Sequence, residues 1–199
     1  MIKKKATPTD PPDVIDLFQK IARLFPAANG FDDVIVRSVA IKYATQNNFY
    51  SGVGAAKVGG RWNRRGLEAI YASLDVSTAT EEAYQDFIYR GFSMTLLQPR
   101  VVAGAKATLS KVLDLTDTKI SRALGFKRSD LVEEDWRKLQ KAGVEAWTQA
   151  IGRGCYNAKF EGIIVPSARR RGGANIVIFP KQLKNTSTII VLGADQLPT

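Results

Sequence analysis

The chain has 199 residues, 45% hydrophobic and 24% charged, which suits one soluble domain with a single core. No apolar run approaches the roughly 20 residues of a membrane-spanning helix, and no apolar signal core follows the basic N-terminus, so we expect a cytoplasmic protein without membrane contact. The net charge of +10 favours polyanions or phosphate-bearing ligands, and the absence of histidine excludes Ser-His-Asp and Cys-His catalysis and zinc sites of the Cys/His type.

The N-terminal part of the chain predicts a helix, a strand and a loop. Asp10-Pro11-Pro12 is a plausible cap and first turn, and apolar residues from Val14 to Phe25 recur at three- and four-residue spacing, which is typical of an amphipathic helix. Residues 34–41 predict a strand that carries Arg37. The polar, Gly-rich stretch 43–63 predicts a loop.

The rest of the chain alternates strands and helices. We expect strands over 69–73, 94–97, 101–105, 112–115, 162–166, 176–179 and 188–192, and helices over 78–89, 118–125 and 130–158. Arg90-Gly91 should close the helix before it, and Gly143 and Gly152 should break the last one. Cys155 has no partner for a disulfide, so we expect it in the core. The pattern predicts a single α+β domain, 34–199, preceded by an extension, 1–33, that carries the amphipathic helix.

A glycine motif, Gly59-Gly60-Arg61-Trp62-Asn63, lies within the predicted loop. Two glycines let the backbone turn sharply and approach a ligand, Arg61 can make a forked contact to phosphate, and Trp62 can bury the base of the loop. On these residues alone, a structural turn with solvated basic side chains is the better interpretation.

The motif stands in a longer pattern that resembles the RES domain, a family of bacterial toxins. The pattern spans about residues 34–192, although Ser38 stands where relatives often carry an aromatic or bulky residue, and the N-terminal helix has no part in it. Its members, in chain order, are Arg37, Gly52-Val53-Gly54-Ala55-Ala56, the glycine motif, Gly66, Ala69-Ile70-Tyr71-Ala72, Glu82, Trp147-Thr148-Gln149-Ala150-Ile151-Gly152, Val165-Pro166-Ser167 and Asn175.

The resemblance implies an ADP-ribosyltransferase-like fold, with mixed or antiparallel sheets flanked by helices, and an enzyme that consumes NAD+ as its substrate. The family cleaves the nicotinamide–ribose bond by hydrolysis or phosphorolysis, or transfers ADP-ribose to a protein. The resemblance also implies an antitoxin partner, which we expect to contain a helix-turn-helix and to be encoded nearby. Nicotinamide leaves as a neutral base, so the reaction needs neither a general acid nor a metal, which suits a chain without histidine.

A carboxylate beside the ribose would stabilise the positive charge that develops when the bond breaks. Carried over from the family, that carboxylate is Glu82, eleven residues after Tyr71. Glu81 is the rival, but Thr78-Ala79-Thr80-Glu81 fits a capping box in which Glu81 returns a hydrogen bond to the helix start. The resemblance further implies catalytic roles for Arg37 and Ser167, with Ser167 in positioning, and NAD+-binding roles for Arg61, Tyr71, Tyr43 and Asn175.

The positive charge has more than one interpretation, and a general solubility charge explains it as well as a functional role does. Arg169-Arg170-Arg171 can bind phosphate, meet an acidic partner or form a solvated loop. A nucleic-acid-binding module is the alternative from another functional class, but the sequence has no interleaved aromatic and basic stripe and no RNA-recognition signature, so direct nucleic-acid binding is not expected.

Overall fold

The computed structural model describes residues 10–89 and 99–197, which form a six-stranded sheet with flanking helices. The strands are β1 (Asn29–Ala40), β2 (Ile70–Ser73), β3 (Arg100–Asp114), β4 (Gly162–Pro166), β5 (Ala174–Ile178) and β6 (Thr188–Val191). The helices are α1 (Pro12–Arg23), α2 (Gln46–Phe49), α3 (Val53–Val58), α4 (Val76–Tyr89), α5 (Thr118–Ala123), α6 (Arg128–Glu133), α7 (Trp136–Lys141) and α8 (Trp147–Asn157). The predicted α+β class is confirmed, whereas the predicted strand 94–97 and the helix end at Arg90-Gly91 lie outside the described residues.

The strands are ordered β1-β2-β5-β4-β3-β6, and β1 also pairs with β3, so that five strands close into a ring. All neighbours are antiparallel except β3 and β4, which makes the sheet mixed as expected. Side chains alternate between the two faces of each strand. Ile176 and Ile178 of β5 therefore join a cluster built by strands alone, whereas Val177 faces the cluster that the helices cover.

Strand β3 is one strand of 15 residues, so the prediction of two separate strands, 101–105 and 112–115, is wrong. The intervening segment alternates polar residues with buried Ala107 and Leu109. This pattern is typical of a strand with one buried face and one face that is more exposed to solvent. Strand β1 also begins five residues earlier than predicted, because Asp32 pairs with Lys106 and Thr108 along the added length.

Helix α1 begins at Pro12, in the predicted turn, and packs on α8. Leu17 and Ile21 are buried in the same cluster as the sheet. Arg153 of α8 pairs with Asp10 at 2.8 Å, which ties the two helices together at the start of α1. The division into 1–33 and 34–199 stays a prediction, but α1 shares the main core.

Two further predictions on helices are corrected by the structure. The stretch 43–63 contains the short helices α2 and α3, whose single turns are too brief to show an apolar period. Helix 130–158 is interrupted around Gly143 as predicted, but Gly152 lies inside α8. Cys155 is buried, as expected, and burial raises the pKa of its thiol. Within the described ranges, no helix combines the length and apolarity needed to cross a bilayer.

Gly152 permits a close approach that no other residue allows. A Cβ atom placed there would overlap the carbonyl oxygen of Trp62, which belongs to the glycine motif. The missing side chain therefore lets α8 pack directly against the backbone of that motif.

We predict that Gly152→Ala lowers the free energy of unfolding by about 1–3 kcal/mol, because the added methyl group forces the helix and the motif apart. Urea denaturation measures the change. Gly54→Ala is the matched control, since a Cβ atom there meets nothing within 4 Å. Equal stability of the two variants would contradict the proposed close packing.

Candidate functional site

A cleft of about 770 Å³ opens beside the glycine motif. A smaller cleft of about 230 Å³ shares four of its lining residues: Arg37, Tyr71, Glu82 and Asn175. These residues come from β1, β2, α4 and β5, so the structure brings together side chains that are far apart in the chain.

Glu82 is held by two neutral hydrogen-bond donors. Its Oε1 accepts a hydrogen bond from the Ser167 hydroxyl at 2.7 Å and another from the Asn175 side-chain amide at 2.8 Å. The carbonyl oxygen of that amide accepts from Ser73 Oγ at 2.6 Å, which fixes the orientation of Asn175. Both of these donors reach Oε1, and Glu82 lines the cleft.

Glu81 and Glu82 occupy different surroundings. Glu81 is exposed and pairs with Arg170 at 3.1 Å, and it does not line either cleft. The predicted capping box is wrong, because helix α4 begins at Val76 and Asp75 caps it by accepting from the Thr78 N–H at 2.8 Å. Glu82 consequently lies in the second turn of the helix.

Ser167 lies behind the cleft and not in its wall. The side chain is buried, and its oxygen accepts from the N–H groups of Arg169 and Arg170 at 3.1 and 2.9 Å while its hydroxyl donates to Glu82. Its neighbours Pro166 and Ala168 line the cleft in its place. This geometry suits a residue that positions the carboxylate.

The glycine motif is fixed to strand β2 through Tyr71. The Trp62 N–H donates to the Tyr71 hydroxyl at 2.9 Å, and that hydroxyl donates to Asn63 Oδ1 at 2.8 Å. Asn63 is fully buried and donates to the carbonyl groups of Ala55 and Leu67. Burial raises the pKa of Tyr71, so its hydroxyl stays neutral and its role is structural, while the ring lines both clefts. Trp62 is buried, as predicted.

Both predicted arginines line the main cleft and also contact the backbone. Arg61 donates to the carbonyl groups of Leu131 and Glu134 at 3.2 and 2.9 Å. Arg37 donates to the Ser51 carbonyl at 3.3 Å. Burial lowers the pKa of both guanidinium groups, although an arginine stays charged in a protein.

The lining is strongly basic, which favours an anionic ligand over a metal ion. One carboxylate, Glu82, faces six cationic side chains: Arg37, Arg61, Arg65, Arg137, Lys141 and Arg169. Within the described ranges, no three acidic or cysteine side chains come together in a way that would hold a metal.

Two glutamines position the glycine motif from the side of α7 and α8. The resemblance marks the stretch 147–152, which contains Gln149, but sequence reasoning assigned Gln149 no role and did not single out Gln140. Gln149 of α8 donates to the Gly60 carbonyl and to Gln140 Oε1, both at 3.0 Å, and Gln140 donates to the Val58 carbonyl at 3.0 Å. The two contacts with the backbone carbonyl groups join residues more than 80 positions apart in the chain, so no local pattern signals them. Tyr43, by contrast, is 55% exposed and does not line either cleft.

A family model described as the RES domain matches residues 19–198. The chain belongs to the RES domain family. The predicted resemblance is confirmed, and the match begins inside helix α1, earlier than the predicted residue 34.

Similar proteins of this family come from mycobacteria. The chain is 29% identical over 133 residues to proteins named NAD(+) phosphorylase MbcT from Mycobacterium bovis and Mycobacterium tuberculosis. The alignment covers 64% of this chain and 64% of each relative's length. A solved structure, titled the crystal structure of the M. tuberculosis MbcT–MbcA toxin–antitoxin complex, contains a chain with the same fold: the TM-score is 0.68 at 20% identity, covering 91% of this chain and 98% of that one.

We predict that Tyr71→Phe lowers the free energy of unfolding by about 1–3 kcal/mol, because it leaves the Trp62 N–H and Asn63 Oδ1 without partners. Urea denaturation checks this value. Tyr43→Phe is the control, because that tyrosine is largely exposed and should tolerate the change. An unchanged midpoint for Tyr71→Phe would show that the hydroxyl does not stabilise the motif.

Proposed function

We propose that this RES-domain protein is a toxin that degrades NAD+ by cleaving its nicotinamide–ribose bond. The observation that carries the proposal is the Glu82 carboxylate, fixed by Ser167 and Asn175 in a cleft lined by six cations. The name of the mycobacterial relatives, NAD(+) phosphorylase, supports the same chemistry.

The cations are suited to the pyrophosphate of the dinucleotide. Arg61 is held at the centre of the glycine motif by two backbone carbonyl groups, and Arg37 is held by one. Guanidinium groups that are already fixed lose little conformational freedom when they bind phosphate oxygens. With the pyrophosphate bound at Arg61, the nicotinamide riboside half of NAD+ would extend from Arg61 towards Glu82.

Glu82 would act on the charge that forms at the ribose. As the bond from C1′ to the nicotinamide nitrogen breaks, its electron pair leaves with nicotinamide and C1′ becomes cationic. The negative charge of Glu82 lowers the energy of that state, and Ser167 and Asn175 act as positioning residues by holding the carboxylate. An oxygen of the acceptor then forms the new bond to C1′.

We infer that the acceptor is inorganic phosphate, which the relatives' name supports. The product would be ADP-ribose with the phosphate on the same ribose carbon from which nicotinamide left, whereas water would give free ADP-ribose and lose a proton. Nicotinamide release that rises with added phosphate, with a phosphorylated product in mass spectra, is the expected result. Release that is unaffected by phosphate would assign a hydrolase, and modified protein in a lysate would assign an ADP-ribosyltransferase.

We also propose an antitoxin partner that covers the basic cleft. The similar solved fold was crystallised as a toxin–antitoxin complex, and the cleft's excess of positive charge suits an acidic segment of a partner. A helix-turn-helix region in that partner remains part of the proposal.

We predict that Glu82→Gln lowers kcat for nicotinamide release about 100-fold or more, because the amide keeps the shape but loses the charge. Glu81→Gln is the matched control and should retain activity, since Glu81 lies outside the cleft. Loss of activity in Glu81→Gln alone would reverse the assignment. A folded wild-type chain, free of antitoxin, that releases no nicotinamide with or without phosphate would refute the proposed function.

We predict that Ser167→Ala lowers kcat about 10- to 100-fold with little change in KM. The substitution removes one hydrogen bond to the Glu82 carboxylate, whose charge acts on bond cleavage rather than on binding of the dinucleotide. Steady-state kinetics separates the two parameters. Ser77→Ala, an exposed change on the same helix as Glu82, is the control. A rise in KM with unchanged kcat would instead place Ser167 in substrate binding.

A further inference from the structure

Helix α7 contributes an aromatic and cationic wall to the main cleft. Trp136, Arg137, Gln140 and Lys141 all line it. The Arg137 guanidinium lies over the Trp136 ring, 4.4 Å from its centroid, so the two groups form a stacked pair. The role described above uses Arg137 only as one of six cations and gives Trp136 no part.

A side-chain contact ties α7 to the segment just before the glycine motif. Gln140 donates to the Val58 carbonyl at 3.0 Å, and at the other end of the helix Asp135 caps α7 by accepting from the Lys138 N–H at 3.0 Å. The cap and this contact hold α7, and Trp136 at its start, beside the cleft.

Arg61 relates this wall to Glu82. Its guanidinium group lines the same cleft. Burial lowers the pKa of this group, the charge of Glu82 raises it, and the charge of Arg137 lowers it further. Glu82 and the stacked pair therefore line the same cleft as a pyrophosphate bound at Arg61. If the ribose to be cleaved lies at Glu82, the adenosine half extends towards α7.

We propose that Trp136 and Arg137 form the adenine subsite of the cleft. The inference rests on the proposed function, because it places the second half of the same dinucleotide. Purine bases stack on aromatic rings and on guanidinium planes, and this wall offers both. Trp136 is a binding residue in this scheme and takes no part in bond cleavage.

AMP is the probe, because it carries the adenine and one phosphate but no bond to be cleaved. We expect isothermal titration calorimetry to detect AMP binding to the wild-type chain. Trp136→Ala should weaken that binding about 10-fold, and Trp136→Phe, which keeps an aromatic face, should restore most of it. Trp147→Ala is the matched control, because Trp147 packs on Phe126 and does not line the cleft.

The same variants are assayed for NAD+ cleavage, where Trp136→Ala should raise KM and leave kcat nearly unchanged. Circular dichroism confirms that each variant is folded. Absent AMP binding, or binding equal in Trp136→Ala and Trp147→Ala, would overturn the inference while NAD+ cleavage by the wild-type chain still supported the proposed function. AMP binding that depends on Trp136, in a chain that does not cleave NAD+, would support the adenine subsite and refute the proposed function.

Discussion

The site depends on one constraint: the glycine motif is clamped between strand β2 and helix α8. From one side, the Tyr71 hydroxyl accepts the Trp62 N–H and donates to Asn63. From the other, α8 comes so close at Gly152 that no Cβ atom fits, and Gln149 donates to the Gly60 carbonyl. Arg61 emerges from this clamped segment, so the main cation of the cleft has a defined position before any ligand binds.

Glu82 and the six cations of the site have different electrostatic surroundings. Glu82 is stabilised by neutral donors, Ser167 and Asn175, which orient the carboxylate without cancelling its charge. The rest of the wall gathers six cations that repel one another. Arg169 and Arg137 both lower the pKa of Arg61 in addition to the effect of its burial, and a bound anion would relieve that repulsion. A dinucleotide whose cleaved ribose becomes cationic and whose pyrophosphate is anionic would complement both the carboxylate and the cations.

Helices α6, α7 and α8 connect the clamp to the wall of the cleft. Arg61 donates to the carbonyl groups of Leu131 and Glu134, which lie at the end of α6 and just after it. The Glu134 carboxylate in turn accepts from the Trp147 and Thr148 N–H groups at the start of α8. The short connection between α6 and α7 thus fixes Arg61, the start of α8 and the position of α7. These links explain why distant segments of the chain act as one site.

The sequence by itself determined the α+β class, the start of α1, the burial of Cys155 and Trp62, and the family. Those features follow from apolar period, composition and motif order, which are local properties. Tertiary structure decided the rest. Glu81 and Glu82 are adjacent and chemically identical. Only the packing of α4 on β1 and β2 directs Glu82 to Asn175 and Glu81 to Arg170. Gly152 was predicted to break the helix because the sequence does not show what a helix packs against. The 15-residue β3 was predicted as two strands because polar residues on its more exposed face interrupt the apolar run. The sequence predicted helix over the region of α7 but not its place in the cleft, since that place depends on a contact between Gln140 and Val58, 82 residues earlier in the chain.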